Sequence, residues 1–143
     1  MKYNMRPFKN SAVEEKFNGY PDEIKSSILL LRELIFGASK ADTSNIELEE
    51  CLKWNEPSYC CKTGSTIRLD WKSKDSENLH IYFNCKSKLI ETFREIYGNE
   101  LTFSGNRVVL VPINEKAPER VLTHCFSMAF NYHKIKHLPM LGA

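Results

Sequence analysis

The spacing of apolar residues changes twice along this chain, and this change restricts the fold more than any other feature. Apolar residues recur at helical spacing over 24–35, alternate with polar residues over 66–71 and 79–85, and return to helical spacing over 89–97 and 121–132. Helical segments on both sides of alternating segments indicate an α+β fold rather than a repeating strand–helix unit. We therefore predict a mainly antiparallel sheet of about five strands, packed with N-terminal, middle and C-terminal helices.

The alternating segments predict a meander followed by a hairpin. Residues 58–62, 66–71 and 79–85 form the three antiparallel strands of the meander. Residues 101–111 form the hairpin around a Ser-Gly-Asn turn.

Capping signals set the predicted ends of the helices in the first half. Ser11 opens a capping box for a first helix, which ends at Gly19. Pro21 suits the first position of a second helix, which ends at Gly37. Another capping box over 44–47 predicts a short helix or turn.

Similar signals predict the helices of the second half. Ser87 is the predicted N-cap of a helix that extends to Tyr97, and Pro118 opens a last helix. Pro139 is predicted to close the ordered chain. The last helix has one apolar face, made of Val121, Leu122, Cys125, Met128, Ala129 and Tyr132.

Length and composition indicate one globular domain. The chain has 143 residues, 42% of them hydrophobic and 27% charged, as in ordinary soluble folds. We expect a single domain over 1–143 with its core at about 11–138. The net charge of +2 is too small for a nucleic-acid clamp. The aliphatic run over 28–31 is too short to cross a membrane.

The five cysteines favour a reducing compartment. Their number is odd and their spacing suggests no disulfide framework. No apolar stretch follows the first residues as it would in a signal peptide. We therefore expect reduced thiols in a cytoplasmic protein. Cys85 and Cys125 lie on predicted apolar faces, where we expect them to be buried.

The sequence motifs suggest no particular reaction. The chain has no G-x-G-x-x-G, P-loop or G-x-S-x-G segment, which argues against nucleotide-dependent enzymes and serine hydrolases, and we expect no cofactor. Cys85 and His80 could pair as nucleophile and base, but on one strand they face opposite sides. His133 and His137 have a spacing that can hold a metal on an intact helix. Alternatively, they complement the dipole at a helix C-terminus.

Polar residues of the meander form the first part of a predicted ligand site. Arg68 and Asp70 share one face of a strand, and His80, Tyr82 and Asn84 share the polar face of the next. These side chains either converge on a binding surface or form a solvated face with cross-strand ion pairs. In a binding site, Arg68 would meet an anionic or carbonyl group, with Asp70 holding its guanidinium. Tyr82 and Asn84 would orient the ligand by hydrogen bonds.

The second part is the segment that leads into the meander. Pro57 restricts the backbone of Glu56, so the flanking Trp54 and Tyr59 are presented rigidly. Their rings either stack on a ligand or plug the end of the core. We predict that one concave surface carries Trp54, Glu56, Tyr59, Arg68, Asp70, Tyr82 and Asn84.

Several segments of the chain match one pattern: the Trp-Asn-Glu-Pro-Ser-Tyr block at 54–59 and residues 66–71, 82–85, 105–107 and 137–142. With these segments the chain resembles the YdhG-like family of bacterial domains, domain of unknown function 1801 (DUF1801). The resemblance runs from about Val13 to Gly142 and implies a small cytoplasmic α+β domain without agreed catalytic residues. Some relatives carry an iron-chaperone, frataxin-like label.

These observations leave three hypotheses on function. The leading one is a non-enzymatic module that binds a small polar molecule or a protein partner, as a monomer or homodimer. The alternative is an iron or metal chaperone, which needs surface carboxylates. Acidic pairs occur at 14–15, 22–23 and 49–50, but basic residues are interspersed. The third is an enzyme of unknown reaction. We expect neither nucleic acid nor a membrane as partner.

Overall fold

Six antiparallel strands form one open sheet in the structure, a computed structural model that describes residues 6–143. The strands are β1 (Glu49–Lys53), β2 (Glu56–Cys60), β3 (Ile67–Asp70), β4 (Asn78–Tyr82), β5 (Thr102–Ser104) and β6 (Val108–Pro112). Their order in the sheet is β1-β2-β3-β4-β6-β5.

Five α-helices and two short 3₁₀ turns accompany the sheet in this part of the chain. The 3₁₀ turns are Ser73–Asp75 and Pro139–Gly142. None of the helices within 6–143 is long and apolar enough to cross a membrane. The helices are α1 (Ser11–Asn18), α2 (Asp22–Ala41), α3 (Leu89–Tyr97), α4 (Glu119–Phe130) and α5 (Tyr132–Ile135).

The two faces of the sheet differ because side chains alternate along each strand. On one face, Ile67, Leu69 and Ile81 are fully buried and join the core to which α2 and α4 contribute. On the other face, Arg68 lies opposite Ser58 on one side and opposite Tyr82 on the other. Helices α2 and α4 thus lie on the apolar face, and the polar side chains of the meander share the opposite face.

The α+β prediction is confirmed, with one strand more than the five expected. The capping box over 44–47 forms a turn in which the Ser44 amide donates to Asp42 Oδ1 at 2.8 Å, and β1 follows instead of a helix. β1 pairs along its whole length with β2. This pairing outweighs a local capping signal, because tertiary contacts routinely override weak propensities.

The predicted start of α1, the predicted end of α2 and the predicted end of the ordered chain are wrong. The N-cap of α1 is Asn10, whose side chain accepts from two amides of the first turn, so Ser11 is the first helical residue. α2 continues through Gly37 to Ala41, because Ala38 and Ser39 extend its buried face. Pro139 does not close the ordered chain, since the turn that follows buries Leu141.

Candidate functional site

One cavity of about 560 Å³ lies where the polar face of the sheet meets the start of α5. This volume is within the range of small-molecule sites. The cavity is formed by β3, β4, the β1–β2 hairpin, three loops and α5. The cavity is lined by Lys53, Trp54, Gly64, Ser65, Thr66, Arg68, Tyr82, Phe83, Asn84, Cys85, Lys86, Ser87, Arg107, Tyr132 and His133.

The structure brings four of the seven predicted site residues to this cavity: Trp54, Arg68, Tyr82 and Asn84. They come from two neighbouring strands, a hairpin and the turn after β4. The other three, Glu56, Tyr59 and Asp70, lie behind the lining or on the opposite face.

Trp54 occupies the tip of the β1–β2 hairpin. Its side chain is 82% exposed, and both loop residues have positive φ, 56° at Trp54 and 62° at Asn55. Two such residues in a two-residue loop are the pattern of a type I′ turn, which matches the twist of the flanking strands. The hairpin thus holds the indole at the rim of the cavity.

Arg68 pairs with Glu56, whereas we predicted that Asp70 would hold its guanidinium. Its Nε donates to Glu56 Oε1 at 2.9 Å, and its guanidinium carbon lies 5.4 Å from the centre of the Tyr82 ring. Among residues 6–143 the terminal guanidinium nitrogens have no hydrogen-bond partner. Both terminal nitrogens of Arg68, with four N–H donors, therefore remain for a ligand, while Nε fixes the orientation of the group.

Asp70 belongs to a buried ion network beside the cavity. It accepts from Lys72 Nζ at 2.9 Å and from the Tyr20 hydroxyl at 2.7 Å, and Lys72 also reaches Glu56 at 3.4 Å. The hydrogen bond to Asp70 raises the pKa of Lys72. The pKa of Tyr20 is raised by burial and then by Asp70. These contacts give Asp70 a structural role.

Tyr59 is on the wrong face for the predicted site. It lies opposite Ile67 in the strand register and is fully buried, with its ring edge-on to Phe36. Its hydroxyl donates to Glu50 Oε2 at 2.8 Å, and burial raises its pKa. The alternation along β2, with Glu56 and Ser58 on the polar face, places Tyr59 in the core.

The sequence-based prediction missed three other cations of the cavity, the exposed lining residues Lys53, Lys86 and Arg107. His133, named above only as a possible metal ligand, is also an exposed lining residue. Together with Arg68, the lining carries four permanently cationic side chains and, within the described chain, neither Asp nor Glu. Lys53 directly precedes Trp54, and Arg107 belongs to the segment 105–107 that carries the family resemblance, but the sequence analysis did not recognise either as a site residue.

Two loops of the cavity are fixed by hydrogen bonds. The Ser65 amide donates to the Ala129 carbonyl and the His133 amide to the Thr63 carbonyl, both at 2.9 Å. In the turn after β4, Asn84 Oδ1 accepts from the Lys86 amide at 2.8 Å. Asn84 therefore shapes its own turn, and its role in orienting a ligand stays a prediction.

Tyr82 is connected to His80, which faces the same side of β4. The Tyr82 hydroxyl lies 3.0 Å from His80 Nδ1, and His80 Nε2 lies 2.7 Å from Asp75 Oδ2. The bond to His80 lowers the pKa of Asp75, and burial raises the pKa of Tyr82. Because both nitrogens of His80 are occupied, it is not available as a base for Cys85.

The two cysteines predicted to be buried differ. Cys125 is buried in the face of α4, and burial raises its pKa to about 12. Cys85 is exposed, so that prediction is wrong. β4 ends at Tyr82, and its alternation does not extend to Cys85. All five cysteines stand as free thiols in the structure, and their redox state in the cell stays a prediction.

The predicted histidine pair does not share a helix. α5 ends at Ile135 with Lys136 as its C-cap, so His137 lies beyond the helix that carries His133. Over the described residues there is no group of three or more His, Cys, Asp or Glu side chains that could hold a metal ion.

Comparison with known proteins identifies the fold. Neither a family model nor a curated protein matches the chain. The structure is similar to the crystal structure of a DUF1801 family protein, YdhG from Bacillus subtilis. The TM-score is 0.60 at 15% sequence identity, over 82% of this chain and 87% of that chain. The resemblance found in the sequence is thereby confirmed at the level of the fold.

Proposed function

We propose that this protein is a cytoplasmic binding module for a small organic anion, and that the cavity at the end of the polar sheet face is its site. The observation that carries the proposal is the charge of the lining, which holds Lys53, Arg68, Lys86 and Arg107 and, within residues 6–143, neither Asp nor Glu. The free thiols fit a reducing cytoplasm.

Arg68 is the central anion contact in this proposal. Glu56 fixes its Nε at 2.9 Å, so little side-chain freedom is lost when a ligand binds. The remaining guanidinium donors match the two oxygens of a carboxylate or phosphate. Glu56 neutralises part of the charge of Arg68, but it lies behind the guanidinium and does not line the cavity.

Lys53, Lys86 and Arg107 support Arg68 at longer range. The whole chain has a net charge of only +2, so four cations around one cavity concentrate positive potential there. Such focusing raises the local concentration of anions and weakens with added salt.

The proposal is tested by calorimetric titration with ribose 5-phosphate, citrate and benzoate. We expect at least one of them to bind, and Arg68→Gln and Arg107→Gln to weaken that binding about tenfold and a few-fold, respectively. Lys74→Gln is the matched control, because Lys74 is an exposed cation in the connection between β3 and β4, outside the cavity. Affinity should fall as salt increases.

Two results would contradict this proposal. One is that none of the three anions binds at low salt. The other is that Arg68→Gln and Lys74→Gln weaken binding equally, since then the anion responds to net charge and not to the cavity. Circular dichroism of each variant confirms that it remains folded.

A further inference from the structure

Trp54 combines two features that are unfavourable for folding. Its large apolar side chain is 82% exposed, and its φ of 56° lies in the left-handed region. For a bulky residue this conformation is a genuine outlier, whereas asparagine and glycine adopt it readily. A type I′ loop therefore favours Asn or Gly at this position.

The Trp54 ring has no stacking partner in the described protein and lies beside the cavity. No aromatic or cation–π partner of Trp54 occurs among the described residues, so the ring does not stabilise the fold by stacking. It borders the cavity whose polar lining is cationic. An exposed ring beside several cations provides stacking area next to anion contacts, as in sites that bind planar charged molecules.

We propose that the ligand of this cavity is a planar aromatic molecule with an anionic group, whose ring stacks on Trp54 while its anion binds Arg68. The inference rests on the proposed function, because it assigns a ligand class to the same site. The cavity of about 560 Å³ is large enough for one ring system and its acidic substituent. The positive φ of Trp54 strains the backbone at the hairpin tip. Because such strain is common at functional sites, it supports a binding role for the indole.

Two sources supply this chemistry: nucleoside phosphates and simple aryl acids or esters. The test therefore uses two matched pairs of probes, each with and without a ring. AMP is compared with ribose 5-phosphate, and phenyl phosphate with methyl phosphate. We expect the ringed member of at least one pair to bind about tenfold tighter or more, as base–aromatic stacking provides. The pair that shows this preference identifies the source.

Variants of Trp54 test whether the indole causes the preference for the ringed probe. Trp54→Asn suits the positive φ, so the hairpin is retained while the ring is lost, and the preference for the ringed probe should disappear. Trp54→Phe should retain part of it. Trp71→Phe is the control, because Trp71 donates its indole N–H to the Ser76 carbonyl at 2.9 Å and does not line the cavity.

Fluorescence provides a direct reading of stacking. The chain has two tryptophans, so in Trp71→Phe all indole emission comes from Trp54. We expect the ringed probe to quench this emission with the same dissociation constant that calorimetry gives, and the ringless probe to bind without quenching.

The outcomes separate this inference from the proposed function. If ringed and ringless probes bind equally in both pairs and Arg68→Gln weakens both, the ring inference is wrong and the anion site stands. If none of these four probes binds, the ring inference is wrong, and the anion site stands only if citrate or benzoate binds. A ring preference that survives in Trp54→Asn contradicts the role of Trp54. Binding of a single-stranded oligonucleotide a hundredfold tighter than AMP would identify a polynucleotide surface and overturn the small-molecule ligand.

Discussion

Arg32 is a fully buried arginine in the apolar stripe of α2. Its guanidinium makes a two-pronged contact with Glu50, with Nε to Oε2 at 2.6 Å and Nη2 to Oε1 at 3.0 Å. Nη1 donates to the Arg6 carbonyl at 2.7 Å, and the ring of Phe8 lies 3.9 Å from the guanidinium carbon. One side chain thus joins α2, β1 and the N-terminal segment.

We predict that Arg32→Ala destabilises the protein by about 3–5 kcal/mol, because it leaves the Glu50 carboxylate buried without its cation. Arg32→Lys should also be strongly destabilising, since an ammonium cannot make the same two-pronged contact. Urea unfolding measures both. Lys25→Ala, in the same helix, is the control and should change stability by less than about 1 kcal/mol. A loss in Arg32→Ala no larger than in this control would contradict the role assigned to Arg32.

Residues such as Arg32 and Tyr59 mark the limit of sequence-based prediction at this scale. The helical stripe of α2 was identified, but an arginine within it is ordinarily assigned to the solvent side. Its burial depends on Glu50, which comes from a strand that the sequence did not predict. Long-range pairs of this kind are decided by tertiary structure and leave no local pattern.

The β1–β2 hairpin is predicted to gain stability when Trp54 is replaced. Trp54→Asn removes an exposed apolar side chain and puts a residue that tolerates positive φ at the strained position. We expect the free energy of unfolding to rise by about 0.5–1 kcal/mol. Thermal and urea unfolding test this, with Asn55→Ala as the opposite control, because alanine at a φ of 62° should destabilise. A lower stability of Trp54→Asn would show that the indole contributes to folding.

The junction of α2 and α4 is predicted to weaken in acid. Asp42 follows α2 and accepts from Asn131 Nδ2 at 2.7 Å and from Ser127 Oγ at 3.1 Å. Burial alone would raise the pKa of Asp42, but these bonds and those from Ser44 outweigh it, so that the pKa is lowered. A carboxyl group with a lowered folded pKa stabilises the fold above its unfolded pKa of about 3.9, and this contribution is lost as pH falls.

Asp42→Asn should therefore cost about 1–2 kcal/mol at pH 7 and progressively less as the pH falls toward 2 and the wild-type carboxyl takes up its proton. Urea unfolding of both proteins at several pH values measures the difference. Glu47→Gln, at an exposed carboxylate in the connection to β1, should show no such pH dependence. A difference between Asp42→Asn and wild type that is constant from pH 7 to pH 2 would contradict the assignment.

At the scale of elements, periodicity predicted most of the molecule. The meander, the second hairpin and the main helices follow from apolar spacing that persists over many residues. The missed strand, β1, has a mixed sequence, Glu-Glu-Cys-Leu-Lys, in which alternation is weak. β1 is a strand because it pairs with β2 through the two-residue loop at Trp54, and its own five residues do not show this pairing.

At the scale of the whole molecule, the alternation of side chains along the strands predicted part of the site. Alternation placed Arg68 and Tyr82 on one face, and the structure brings both to the cavity. Residues from α5 and the loop before β3 were not predicted, because their positions depend on how the helical layer docks on the sheet. His133 and Ser65 reach the cavity through that docking.

At Gly64 the loop before β3 packs closely against the end of α4. A pair of glycine substitutions tests whether this close packing matters. A Cβ on Gly64 would lie 2.6 Å from the carbonyl oxygens of Ala129 and Phe130, which are backbone atoms of α4. We therefore predict that Gly64→Ala destabilises by about 2–3 kcal/mol, since overpacked backbone cannot relax cheaply. Gly37→Ala is the matched control, because a Cβ there meets nothing within 4 Å and lies in a helix.

Gly37→Ala should raise stability by about 0.5–1 kcal/mol, the usual gain at an exposed helical position. Gly64→Ala should in addition weaken binding of whichever test anion binds the cavity. The substitution displaces the loop that carries Ser65 and Thr66 of the lining. Urea unfolding and calorimetric titration measure the two effects. If Gly64→Ala is as stable as wild type, the close approach of this loop to α4 is not part of the folded protein. If it is destabilised but binds the anion with unchanged affinity, the cavity does not depend on the junction between sheet and helices.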